Sequence, residues 1–104
     1  MPNWVPVARL DECPPGTAQE RVAGDLVVAL FNVAGTIYAL DGVCPHQGGP
    51  LGKGELSGCI ATCPWHGWQF DVRDGKHQLT QQIMQPRFEV RVEGDLILVD
   101  LDVS

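Results

Sequence analysis

Two stretches of patterned apolar residues bracket a glycine-rich middle. Near the C-terminus Arg87, Phe88, Glu89, Val90, Arg91 and Val92 alternate one for one, Gly94-Asp95 follows, and Leu96–Val99 returns. Alternation of period two marks a strand with one face buried, and Gly-Asp between two such runs predicts a hairpin. Near the N-terminus Asn3–Ala8 predicts a short strand. Glu20–Ala23 and Asp25–Val33 flank Gly24, and Thr36–Leu40 follows Ala34-Gly35, so two more hairpins are expected in succession. The run from Leu26 is almost continuously apolar, which predicts a strand buried on both faces. No segment makes a convincing helix.

The middle differs in composition. Residues 42–67 hold seven of the twelve glycines and three of the eight prolines, Pro45, Pro50 and Pro64. Such density marks backbone that approaches something closely or takes positive φ. It reads as a binding insert, over about 42–70, on a β scaffold. Residues 73–86 read as a long polar connection back to the last hairpin.

At 104 residues the chain is expected to be one domain spanning 1–104, and 44% hydrophobic residues predict a globular fold. No apolar run reaches the roughly 18 residues that a membrane span needs. The first residues, MPNWVPVARLDE, carry neither a basic start nor an apolar export core. A cytoplasmic monomer is the expectation. The net charge of −6, with no basic cluster, argues against nucleic acid and anionic membranes. It would steer the protein toward basic docking surfaces instead.

The chemistry lies in two short runs, Cys44-Pro45-His46 and Cys63-Pro64-Trp65-His66. Each offers one thiolate and one imidazole. Two Cys on one iron and two His on the other is the ligand set of a Rieske-type [2Fe–2S] centre. Tetrahedral zinc also accepts two Cys and two His, but its sites favour two to four residues between the first pair, and here Pro45 stands alone between Cys44 and His46. Of the other cysteines, Cys59 reads as a small buried hydrophobe, and Cys13, in a polar Pro-Pro-Gly turn, as an incidental free thiol. His77 reads as a solvated loop residue.

The segments CPHQGGPLGKGEL and CPWHGWQFDV resemble the Rieske family, and more specifically its small soluble ferredoxins. The resemblance implies an all-β fold: an antiparallel β-sandwich or partly closed barrel with an inserted two-loop cluster-binding subdomain. It implies one [2Fe–2S] cluster on Cys44, His46, Cys63 and His66. Gly48, Gly49 and Gly67 would let backbone approach the cluster, Pro45, Pro64 and Trp65 would shield it, and Pro86 falls where the family has a third covering loop. Trp68 and Phe70 would pack beneath the site. High-potential members resemble C-T-H-L-G-C and C-P-C-H-G-S-x-Y, with a disulfide between the loops. Gly49 and Trp65 stand at those two cysteine positions, and Trp68 and Phe70 at the Ser and Tyr, which implies the low-potential branch.

The function implied is one-electron transfer from a flavin-dependent reductase to a terminal Rieske oxygenase. The alternative is the small Rieske subunit of an assimilatory nitrite reductase. The chain is not expected to be an enzyme. A mononuclear oxygenase iron needs two further His and a carboxylate, and after His46 and His66 only His77 remains.

Overall fold

The structure is a computed structural model that describes residues 2–44, 48–65, 67–79 and 82–102. Among these described residues are ten strands: β1 Trp4–Arg9, β2 Ala18–Ala23, β3 Leu26–Val33, β4 Thr36–Asp41, β5 Glu55–Ser57, β6 Ile60–Thr62, β7 Gln69–Asp71, β8 Arg87–Phe88, β9 Val90–Glu93 and β10 Leu96–Asp100. Short 3-10 turns cover Leu10–Glu12 and Leu51–Lys53.

All pairings are antiparallel, in three open sheets ordered β1-β10-β9, β2-β3-β4-β8 and β5-β6-β7. The four-stranded sheet is the middle layer. Val28 and Leu30 of β3 bury into one core with Ala8, Phe88, Ile97 and Val99. The intervening Ala29 and Phe31 bury into a second core with Leu51, Ala61, Phe70 and Val72. This is why the run from Leu26 is apolar at nearly every position: successive side chains point to opposite faces, and both faces are covered. The second core supports the two loops described below.

The three expected hairpins form, turning at Gly24-Asp25, Ala34-Gly35 and Gly94-Asp95. Two details differ from the sequence reading. The run 87–92 is not one strand but two: β8 pairs with β4 in the middle sheet, and β9 pairs with β10 in the outer one. The alternation persists across the change because Phe88 and Val90 both face the core shared by these sheets. The glycine-rich insert also carries a sheet of its own, whose strands of three residues are too short for a visible period.

Cys13 is a free thiol, as expected, but it is not incidental to the fold. It is fully buried in the first core, where its carbonyl accepts from Asn32 Nδ2 at 2.7 Å. Burial pushes its thiol pKa up, against smaller lowering contributions from the Thr17 hydroxyl and Arg21. The Pro-Pro-Gly turn forms, and it folds back onto the sheet. Cys59 is partly buried against the second core, close to its expected place.

Candidate metal centre

Beyond β4 the chain enters a loop whose neck is an antiparallel bridge between Val43 and Pro50. Cys44 N–H donates to the Gly49 carbonyl at 2.9 Å, and Gly48 N–H donates to the Cys44 carbonyl at 2.9 Å. Between β6 and β7 lies a second loop of the same build, with Thr62 paired to Gln69 at its neck. Here Cys63 N–H donates to the Trp68 carbonyl at 2.8 Å, and Gly67 N–H donates to the Cys63 carbonyl at 3.0 Å. The spacing from Cys to His differs between the two motifs, yet these backbone bonds have the same register.

The fold brings the two thiols to one region. Cys44 and Cys63 are each 2% exposed and line the same core. None of the four cysteines is in a disulfide. A Cβ on Gly49 would lie 2.6 Å from Cys63 Sγ and 3.2 Å from Trp65 Cβ. The closing residue of the first loop therefore rests against the cysteine of the second, a contact that only glycine permits.

His46 and His66, with Pro45 and Gln47, lie outside the described residues. Among the described residues no three metal-ligating side chains converge. What is described fits an iron–sulfur centre through its thiolate half: two soft donors, buried, unoxidised and presented from matched loops.

Beneath the loops, Phe70 is fully buried and half-buried Trp68 leans on it, with ring centroids 6.5 Å apart. Both lie where packing under the site was expected. His77 does not. It is 4% exposed, edge-on to Trp68 at 4.6 Å and to Phe70 at 5.3 Å, and its Nδ1 accepts from Leu79 N–H at 3.1 Å. An aromatic slot and a satisfied ring nitrogen make burial of this imidazole tolerable. The described residues of the polar connection 73–86 also pair with the structure around them. They form bridges from His77 to Phe70 and from Met84 to Lys76, and Gln85 is 2% exposed. Asp71 is gripped by Arg73, whose Nη2 lies 2.7 Å from Oδ2. Those hydrogen bonds hold the carboxyl pKa below its ordinary value, against partial desolvation.

Residues 3–93 match the Rieske [2Fe-2S] domain. The chain belongs to the Rieske [2Fe-2S] family. As a Rieske protein it carries one [2Fe–2S] cluster. It is 38% identical to the ferredoxin component of the 2,4-dinitrotoluene dioxygenase system of Burkholderia sp. (strain RASC), covering 96% of this chain and 97% of that one. It superposes with a TM-score of 0.86 and 27% identity on a structure from the complex of reduced oxygenase and oxidized ferredoxin in carbazole 1,9a-dioxygenase, covering 97% and 95% of the two chains. A Mycobacterium tuberculosis protein assigned as an NADH-dependent nitrite reductase small subunit gives a TM-score of 0.85 at 23% identity, covering 95% of each chain, a likeness of fold alone. In the described part of this Rieske chain no helix is long and apolar enough to cross a membrane.

Proposed function

We propose that this protein is the ferredoxin of a multicomponent oxygenase system, taking single electrons from a flavin-dependent reductase and passing them to a terminal Rieske oxygenase. In this reading the whole chain, 1–104, is one Rieske domain with its cluster-binding insert at about 42–70. Cys44 and Cys63 hold one iron and His46 and His66 the other. The protein works as a cytoplasmic monomer with no catalytic site of its own.

The observation that carries the reading is end-to-end similarity to a stand-alone ferredoxin component, combined with two buried thiols on matched loops. The nitrite reductase alternative has only the shared fold in its favour. The surface beside the loops suits brief encounters. Val43, Trp65, Leu79 and Met84 are 45%, 56%, 93% and 52% exposed, and Lys53 is the single Asp, Glu, Lys or Arg within 42–54 and 63–69. A small apolar contact lets partners exclude water and still separate.

The test is anaerobic rapid mixing of the reduced protein with the oxidised terminal oxygenase of an aromatic-ring dioxygenase system. Electron transfer without dioxygen is expected, read in freeze-quenched samples as the ferredoxin's electron paramagnetic resonance signal giving way to the oxygenase's, as is reduction by that system's flavin-dependent reductase. Failure to exchange electrons with either component would overturn the assignment. The ligand set is tested separately: His46→Cys or His66→Cys should move the electron paramagnetic resonance of the reduced protein toward the all-thiolate type, or abolish assembly.

A further inference from the structure

β4 and β8 pair Ala39 with Phe88 and Leu40 with Arg87, so the next pair in register is Asp41 with Pro86. Half of that pair forms: Asp41 N–H donates to the Pro86 carbonyl at 2.8 Å. An antiparallel pair of this kind normally returns a second bond. Proline has no N–H to give, so the Asp41 carbonyl would be left without its ladder donor.

Gln85 fills the gap with its side chain. Its Nε2 lies 2.5 Å from the Asp41 carbonyl and 2.6 Å from the Val43 carbonyl. Both hydrogens of the amide are spent on backbone that leads directly into Cys44. Gln85 is itself held firmly: it is 2% exposed, and its N–H donates to the Gly75 carbonyl at 2.7 Å. Gly75, at φ +80°, passes so close to the Gln85 carbonyl that a Cβ there would collide with it. One buried side chain from the far end of the 73–86 segment thus fixes the approach to the first ligand loop.

We propose that Gln85 is a positioning residue for the cluster, setting the placement of Cys44 through the Asp41 and Val43 carbonyls and thereby both the retention of iron and the reduction potential. The inference rests on the assignment of Cys44 as a ligand. Releasing these carbonyls lets the first loop move outward and admits water. Water stabilises the more negative, reduced cluster, so the potential should rise.

The test compares Gln85→Met, which keeps length but removes both donors, with Asn32→Ala. Asn32 is also buried and bonded, through Nδ2 to the Cys13 carbonyl and through Oδ1 to Gly35 N–H, but it serves the other core. Both variants should melt at lower temperature than wild type. At a temperature well below both melting points, only Gln85→Met should lose iron to a chelator severalfold faster. Only Gln85→Met should shift the reduced-to-oxidised ratio at fixed potential, by threefold or more toward reduced. If Gln85→Met does not fold, Gln85→Asn, whose amide falls short by one methylene, takes its place in the same comparison. Iron loss and potential that match Asn32→Ala or wild type would overturn the proposal. A cluster that survives Cys44→Ala would overturn the ligand assignment and this inference with it. A cluster lost in Cys44→Ala but indifferent to Gln85 would overturn the positioning role alone.

Discussion

Gly48 and Gly67 occupy equivalent places in the two loops. Each donates its N–H to the carbonyl of the cysteine four residues earlier, and their φ angles are +76° and +73°. The matched loops thus present Cys44 and Cys63 from the same local backbone, although one motif is C-x-H and the other C-x-x-H.

Gly49 should fail differently from the other two loop glycines. Among the described residues a Cβ on Gly67 meets nothing within 4 Å and one on Gly48 meets Val43 Cγ1 alone, at 3.8 Å, so backbone strain is the expected cost of alanine there. Gly48→Ala and Gly67→Ala should each destabilise by about 1 kcal/mol in urea denaturation while still assembling a cluster. In Gly49→Ala the new methyl would sit 2.6 Å from Cys63 Sγ, and the expected result is a protein isolated largely without iron. A Gly49→Ala protein with normal iron content and visible spectrum would refute the close approach.

Cys13 should be chemically silent. Full burial and a raised thiol pKa both suppress the thiolate that reacts with alkylating agents. Maleimide labelling followed by mass mapping should leave Cys13 unmodified in the native protein and modify it once urea is added. Cys13→Ala should cost about 1 kcal/mol through the small cavity it leaves in the first core.

Asp71 ties pH to stability. Its folded pKa is depressed, first by the Arg73 side-chain hydrogen bond and also by the Arg73 backbone N–H and charge. A depressed carboxyl stabilises the fold at pH values above its unfolded pKa, roughly 4, and loses that contribution as pH falls through the lower folded value. Asp71→Asn should therefore be less stable than wild type at pH 6, and the difference should shrink as pH drops below about 4. A gap that stays constant over that range would show that the charge contributes nothing.

The reduction potential should lie near the low end of the Rieske range, about −150 mV. Gly49 and Trp65 leave no inter-loop disulfide, and buried Phe70, in the core that both loop cysteines line, offers no hydroxyl to a cluster sulfur. Protein-film voltammetry on wild type and Phe70→Tyr should show the variant at higher potential. A wild-type midpoint above zero would contradict the low-potential assignment.

The chemistry of this protein was legible in the chain because local spacing carries it. A cysteine and a histidine with one or two residues between them, twice, with glycines beside them, point to an iron–sulfur cluster before any folding is considered. The hairpins were legible for a similar reason: Gly24, Gly35 and Gly94 supply positive φ between apolar runs, and turns are decided by a few adjacent residues. Even the double burial of β3 showed as an unbroken apolar run.

What the chain could not show depended on contacts distant in sequence. His77 looked solvated because its neighbours in sequence are polar, yet the rings of Trp68 and Phe70 make its slot. Cys13 looked incidental because it lies in a polar turn, and its burial was decided by where that turn lands on the middle sheet. Gln85 gave no local signal because its role is defined by carbonyls 44 and 42 residues away and by the N–H that Pro86 lacks. Spacing along a chain specifies which donors are available. Which backbone carbonyls need them, and which faces are covered, is settled only when the sheets pack.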